Sequence, residues 1–183
     1  VIFNWVHRST DGGDYTAMYN IINNYYKPGP STPGQEHPIA HRILKPESGR
    51  SKLGYLVFGR AYVHGNIIEG NERVTKDNWD GGVQVEELPD AGKYTASIKW
   101  DKPLPMPEFT IIPTLEAKAY VLTNAGATLP KRDAVDTRIV KQVTTGKIDF
   151  DPNVPLPTTQ FKHRRLPIDS YKQGIITDPI QVG

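Results

Sequence analysis

The chain has 183 residues, 37% of them apolar and 23% charged, with a formal net charge of +2, which allows one domain with a core and excludes a mainly disordered chain. The basic residues are spread along the chain and no apolar run is long enough to cross a bilayer, so we expect neither a nucleic-acid nor a membrane partner. The absence of cysteine excludes disulfides, thiolate zinc sites and a cysteine nucleophile.

A short phrase recurs near the start of the chain. An apolar pair followed by Asn or Gly occupies residues 1–5 (VIFNW), 21–25 (IINNY) and 67–71 (IIEGN), which is typical of stacked repeats. Because the first copy has nothing before it, we expect the chain to begin inside a repeat. The 16 Gly and 16 Pro favour short strands joined by turns over a helical bundle. The pattern predicts an all-β stack of parallel strands.

Further strands and loops follow in chain order. The β-rich phrases predict strands within residues 1–6, 15–26, 53–58 and 60–68. Composition predicts a long loop that starts at residues 27–34. One more strand is predicted at residues 94–100. The Pro-rich segment 102–107 is predicted to be extended and to lie on another part of the protein.

Two helices are predicted in the C-terminal part. Thr114 is suited to cap a helix over residues 115–125, with Gly126 beyond its end. Asp133 is suited to cap a second helix over residues 134–145, with Gly146 as its terminator. We therefore divide the chain into residues 1–112, the stacked repeats with long loops and the Pro-rich segment, and residues 113–183, the helices and a wrapping tail of the same domain.

Several stretches resemble pectate lyases of polysaccharide lyase family 1. The similarity covers nearly the whole chain and corresponds to the C-terminal half of that family. The stretches that carry it are residues 1–5, 12–14 (GGD), 19–30 (YNIINNYYKPGP), 74–79 (VTKDNW), 125–136 (AGATLPKRDAVD) and 168–170 (IDS). The resemblance implies a right-handed parallel β-helix as the fold.

The same resemblance implies a chemistry. These enzymes cleave polygalacturonate by β-elimination: calcium neutralises the uronate carboxylate, an arginine removes the proton at C5, and the 4-linked sugar leaves. No residue here matches the family's calcium ligands or its arginine motif, so we expect the base and the calcium ligands upstream of residue 1. We assign no catalytic or metal-binding residue to this chain, and we expect the fragment alone to be inactive.

The implied partners are an acidic plant polysaccharide and the N-terminal half of the same protein. The implied location is secreted, periplasmic or at the cell surface. Two alternatives stay open: a non-catalytic module that binds acidic glycans, and a structural β-helix with no sugar partner.

A polar turn between two predicted strands is the candidate contact with substrate. The guanidinium of Arg8 is suited to a uronate carboxylate, and the ring of Tyr15 or of Tyr25 is suited to a sugar face. His7, Asp14 and Lys27 complete the candidate set. The plainer reading is that Arg8 pairs within its own turn, that His7 is a solvated or core-edge imidazole, and that Lys27 is a loop residue.

Overall fold

The computed structural model describes residues 1–7, 9–12, 17–48, 57–85 and 92–148. Val1–Ile148 forms one compact unit. The predicted strand at residues 53–58 lies mostly outside the described residues, and the tail beyond residue 148, with the IDS motif, lies wholly outside them. The predicted division of the chain after residue 112 stays a prediction.

Seven short strands are present in the described part of the chain. They are β1 (Ile2–Phe3), β2 (Asp11–Gly12), β3 (Met18–Ile22), β4 (Tyr25–Lys27), β5 (Lys45–Pro46), β6 (Arg60–His64) and β7 (Ile67–Ile68). They form three small parallel sheets with the orders β1-β4-β7, β2-β5 and β3-β6. Parallel neighbours cannot be joined by a tight hairpin, so long connections carry the chain between paired strands.

The strand pairing corrects the alignment of the recurring phrase. Ile2 pairs with Tyr26, and Tyr25 pairs with Ile67, in one sheet. Ile21 belongs instead to β3 and pairs with Val63 of β6 in another sheet. The predicted alignment placed residues 21–25 beside residues 1–5, and it is wrong because Ile2 and residues 67–68 lie in one sheet, whereas residues 21–22 lie in another.

Four α-helices and one short 3-10 helix accompany the strands in the described residues. They are the 3-10 helix Pro38–His41, α1 (Glu72–Lys76), α2 (Gly92–Ile98), α3 (Thr114–Asn124) and α4 (Ala134–Thr145). The predicted all-β class is wrong, since the described helices contain more residues than the described strands. The right-handed parallel β-helix is also wrong: the structure is an α/β mixture with small parallel sheets.

Backbone bends explain why the β-rich phrases form only short strands. Asn4 and Asn23 adopt left-handed conformations with φ of 57° and 54°, and Gly65 does so with φ of 70°. Asn23 and Gly65 directly follow β3 and β6, and Asn4 directly follows β1. A left-handed residue cannot continue a strand, so each strand ends there.

The two C-terminal helices lie close to their predicted positions. Asp133 caps α4 by accepting from the backbone N–H of Asp136 at 2.7 Å, and Gly146 ends this helix with φ of 72°. At α3 the capping position is Pro113, so the predicted cap at Thr114 is wrong. The hydroxyl of Thr114 donates instead to the carbonyl of Gly65, which links α3 to the turn after β6.

The segment around residue 95 is helical, although a strand was predicted at residues 94–100. Only Ile98 is buried within α2, and Lys99 then forms a parallel bridge with Ala61. Ile98 and the partly buried Tyr94 pack against the core, so the β propensity of the aromatic and β-branched residues did not decide the local structure.

The core lies between the three sheets. Apolar side chains from β3, β4, β6 and β7 meet those of the connecting segments. Its buried members are Trp5, Ile21, Tyr26, Ile43, Leu44, Ala61, Val63, Ile68, Val74, Val83 and Ile98. Buried apolar area of this kind supplies most of the folding free energy.

The Pro-rich segment lies on β3, as its composition predicted. Leu104 is 3% exposed, its N–H donates to Oδ1 of Asn20 at 2.9 Å, and its carbonyl accepts from Nδ2 of Asn20 at 2.9 Å. One asparagine side chain thus replaces a strand partner for this segment. Among the described residues, no helix has both the length and the apolar character required to span a membrane.

Candidate functional site

A cavity of the described residues forms a groove beside the C-terminal end of β6. It has a volume of about 410 Å³, within the ~300–1,000 Å³ typical of small-molecule sites. We call it the indole groove. Its lining consists of Tyr62, Val63, His64, Gly65, Thr75, Lys76, Asp77, Asn78, Trp79, Lys99, Trp100 and Asp101.

Trp79 enters the groove from the turn that follows α1. Asn71 caps this helix by accepting from the N–H of Val74 at 3.0 Å, and the helix ends at Lys76. Asp77 then accepts from the backbone N–H of Trp79 at 2.9 Å, which fixes the turn. The indole Nε1 of Trp79 donates to the carbonyl of Val63 at 3.2 Å, so the half-buried ring is held against β6.

Trp100 enters the groove from the other side, just after α2. Its backbone N–H donates to the carbonyl of Ala61 at 2.9 Å. The guanidinium carbon of Arg60 lies 5.2 Å from the centroid of the Trp100 ring. Lys99, the preceding residue, places its ammonium 5.5 Å from the centroid of Trp79. Each indole therefore has one cation beside its face.

Tyr62 and His64 add two further rings from β6. Successive side chains of a strand point to opposite faces, and Ala61 and Val63 are buried in the core. Tyr62 and His64 therefore point away from the core and into the lining of the groove. Their rings are stacked with centroids 5.8 Å apart and an interplanar angle of 27°.

The charges around the groove are mixed, with an excess of cations. Lys76, Lys99 and Arg60 face two carboxylates, Asp77 and Asp101. Within the described ranges, neither of these carboxylates nor any other forms an ion pair with the three cations. Arg60 and Lys99 therefore lie over the indole rings and form no ion pair within the described residues.

Of the five predicted site residues, the structure describes His7 and Lys27, and neither lines the indole groove. Lys27 donates to the carbonyl of Thr144 at 2.9 Å and lies 3.9 Å from a carboxylate oxygen of Glu69, so its ammonium ties β4 to α4. His7 is exposed and does not line the groove. Arg8, Asp14 and Tyr15 lie outside the described residues. The substrate-binding role of the five residues stays a prediction.

A second polar cluster surrounds Tyr25 and has a packing role. The Tyr25 hydroxyl donates to Oε2 of Glu69 at 2.5 Å, and the ammonium of Lys118 from α3 lies 3.8 Å from the ring centroid. Burial, reinforced by the hydrogen bond and the negative charge of Glu69, raises the pKa of Tyr25 to about 12. This cluster joins β4 to the turn after β7 and to α3.

The described residues do not fit a calcium ion. They contain no group of three or more His, Cys, Asp or Glu side chains that could hold a metal. Calcium prefers several oxygen ligands, and the two carboxylates of the groove do not form such a group.

Sequence reasoning missed the indole groove, although a signal for it exists. Two of the 3 tryptophans of the chain stand in similar polar contexts, KDNWD at residues 76–80 and KWDK at residues 99–102. A tryptophan next to Lys and Asp is unusual for a core position, because charged neighbours favour exposure. This signal gives no indication that the two segments meet at β6.

No protein-family model, no curated protein and no solved structure matches the chain. The similarity of its sequence to pectate lyases therefore stays a prediction. Aromatic rings, unpaired cations and hydrogen-bonding groups around one groove are the features that bear on function.

Proposed function

We propose that the chain binds an acidic polysaccharide of the polygalacturonate class in the indole groove. The observation that supports this most is the pairing of each indole with a cation, Trp79 with Lys99 and Trp100 with Arg60. A uronate residue combines an apolar sugar face with a carboxylate. A ring surface beside a guanidinium or ammonium group complements both features at once.

The remaining polar groups of the groove suit the hydroxyl groups of a sugar. The carboxylates of Asp77 and Asp101 accept hydrogen bonds, and Lys76 donates them. The mixture of acceptors, donors and rings therefore suits a saccharide.

The sequence resemblance extends this proposal to catalysis by a longer protein. In that proposal the chain is the C-terminal part of a secreted pectate lyase, located outside the cell, in the periplasm or at the cell surface, whose calcium ligands and arginine base lie in other residues. The β-helix that the resemblance implied is wrong for the described residues, so the geometry supports binding and lends no support to catalysis by these residues.

Calorimetric titration tests the binding proposal. We expect heat on titration with an oligogalacturonate and none with a neutral oligosaccharide of equal length. Trp100→Ala should weaken binding at least ~10-fold, which corresponds to ~1.4 kcal/mol. Tyr120→Ala, which removes an exposed ring of α3 outside the groove, should leave binding unchanged. Equal affinity of both variants would contradict the proposal.

A charge-matched pair separates recognition of the carboxylate from non-specific attraction. Lys99→Gln should weaken oligogalacturonate binding, whereas Lys131→Gln, which removes a distant exposed cation, should not. Both variants lower the net charge by the same amount. Equal loss in the two would mean that only the overall charge attracts the ligand.

The catalytic extension has its own test. The complete protein, incubated with polygalacturonate and calcium, should release unsaturated uronate products that absorb in the ultraviolet. Oligogalacturonate binding without such products would contradict the lyase proposal. It would agree with the alternative, a non-catalytic module that binds acidic glycans.

A further inference from the structure

The β3-β6 sheet has two outer edges, and the edge of β6 is covered. The carbonyl of Ala61 accepts from the N–H of Trp100 at 2.9 Å, and the carbonyl of Val63 accepts from the indole of Trp79 at 3.2 Å. Ala61 also forms a parallel bridge with Lys99. Segments from outside the sheet therefore occupy the carbonyls that β6 turns away from β3, at the edge where the indole groove lies.

The outer edge of β3 is open among the described residues. The N–H of Arg60 donates to the carbonyl of Ala17, and Met18 is in register with Arg60. Because backbone groups point alternately to the two sides of a strand, those of Ala17 face β6 and those of Met18 and Asn20 face outward. The described part of the chain offers no hydrogen-bond partner to these outward N–H and C=O groups.

β3 lacks the features that keep an open edge from pairing with another chain. Lysine, proline and bulges are the usual protection of edge strands. The sequence of β3, MYNII, contains no charged residue and no proline, and its five residues pair with β6 in unbroken register. Met18 is 65% exposed at the start of this edge, which leaves apolar surface beside the free backbone groups. The edge is therefore suited to accept a further strand.

We propose that two copies of the chain pair through this edge of β3, as an antiparallel dimer with two-fold symmetry. With the two Tyr19 residues opposite each other, Met18 of one copy faces Asn20 of the other, and the reverse. Residues that face each other in this way exchange both N–H···O bonds of an antiparallel ladder, so the outward groups of Met18 and Asn20 all find partners. The edge is thus complementary to itself, as an interface between identical chains requires, which assigns it to a second copy.

Sedimentation equilibrium of the 183-residue chain tests the dimer, and hydrogen exchange measured by NMR locates its interface. We expect a concentration-dependent species with twice the 20.5 kDa mass of the chain. Exchange of the Met18 and Asn20 amides should slow as the chain concentration rises, whereas that of the Ile21 amide, which faces β6, should change far less. A monomer at every concentration, or a dimer in which Met18 and Asn20 exchange as before, would overturn the inference.

Substitutions at residue 18 separate pairing at this edge from other apolar contacts. Met18→Pro removes an outward N–H, and with it one hydrogen bond of each facing pair, but no hydrogen bond within a single chain. Met18→Lys places a charge on the edge, as natural edge strands do. Each variant should dimerise at least ~10-fold more weakly, with folding confirmed by circular dichroism.

Tyr120→Lys is the matched control, because Tyr120 is 64% exposed and lies on α3. It should dimerise as the wild type does. Unchanged dimerisation of the folded Met18 variants, or an equal loss in Tyr120→Lys, would contradict pairing through β3. Because the indole groove lies at the other edge of the sheet, this inference is independent of the proposed function.

Discussion

Asn66 and Asn78 hold each other through a buried network of hydrogen bonds. Oδ1 of Asn78 accepts from both the backbone N–H and the side-chain amide of Asn66 at 2.9 Å, and Nδ2 of Asn78 donates to the Asn66 carbonyl at 2.8 Å. This pairing joins the turn after β6 to the turn after α1. Those two turns carry residues on both sides of the indole groove, so the network positions the groove as well as the core.

Removal of one partner should be costly. Asn78→Ala leaves the buried backbone N–H of Asn66 without its acceptor and removes one acceptor of the Asn66 amide, which still donates to Ile21. We expect a loss of about 2 kcal/mol in the free energy of unfolding, measured with urea. Asn124→Ala is the control. Its side-chain amide donates to Tyr120 on the exposed face of α3, and its loss should cost less than ~0.5 kcal/mol. Similar losses in the two variants would contradict a structural role for the pair.

Gly65 and Gly70 have similar φ angles but different surroundings. Alanine substitutions at these two positions therefore distinguish the cost of backbone strain from the cost of a steric clash. Gly65 and Gly70 have φ of 70° and 82°, so an alanine at either position should cost about 1–2 kcal/mol. A Cβ at Gly70 has no neighbour closer than 3.7 Å, whereas one at Gly65 would collide with Oδ1 of Asn23. Moving that side chain breaks its 2.8 Å hydrogen bond to Ile112.

We therefore expect Gly65→Ala to lower the free energy of unfolding by about 1 kcal/mol more than Gly70→Ala does. Urea unfolding of both variants provides the comparison. If both variants lose the same free energy of unfolding, the clash between a Cβ at residue 65 and Asn23 has no cost, which would contradict this expectation.

Alkaline pH should destabilise the fold through Tyr25. Burial and Glu69 raise the pKa of this tyrosine from 10.0 to about 12, so the unfolded chain loses its phenolic proton first as pH rises. The stabilisation that protonated Tyr25 contributes to the folded state is complete below pH ~10 and is lost as pH increases towards about 12. Burial also raises the pKa of Tyr26 to about 12. Part of the loss of stability at alkaline pH should therefore persist in a Tyr25→Phe variant.

The free energy of unfolding, measured at several pH values from about 9 to about 12, tests this expectation. Tyr25→Phe should be less stable than the wild type at neutral pH, because it lacks the hydrogen bond to Glu69. It should also lose less stability over the alkaline range. An identical slope in both proteins would rule out Tyr25 as a source of the pH dependence.

The cap of α4 should control local stability in the C-terminal part of Val1–Ile148. No residue of this helix is buried, so local signals matter more here than packing does. Asp133→Ala should cost about 1 kcal/mol, and Asp133→Ser should restore most of it. Hydrogen exchange of the α4 amides reports this directly, with faster exchange in the alanine variant alone. Equal exchange rates of the α4 amides in the wild type and in Asp133→Ala would contradict the assignment of the cap.

The elements that the sequence predicts well are those set by neighbouring residues. The bounds of α4 follow from an N-terminal Asp133 and a left-handed Gly146, both of which act within one helical turn. The strand at residues 94–100 was mispredicted because α2 packs on the core through Ile98 and Tyr94, and such tertiary contacts are not contained in local propensity.

Strand register and the groove depend on contacts between distant segments. An apolar pair at residues 21–22 looks like the pair at residues 1–2, yet only the pairing of Ile2 with Tyr26 decides which strands are neighbours. Likewise, Trp79 and Trp100 are recognisable as unusual residues, but they meet only because both are hydrogen-bonded to β6. Such information arises on folding and is weakly encoded in any single window.

The three indole N–H groups provide the most direct test of the proposed binding site. Trp79 and Trp100 line the groove, whereas Trp5 is 6% exposed, belongs to the core and donates to Ile39 at 2.8 Å, so it serves as an internal control. In a ¹H–¹⁵N NMR titration with digalacturonate, the indole signals of Trp79 and Trp100 should move and saturate while that of Trp5 stays fixed. Three unmoved signals, or equal movement of all three, would contradict binding in the indole groove.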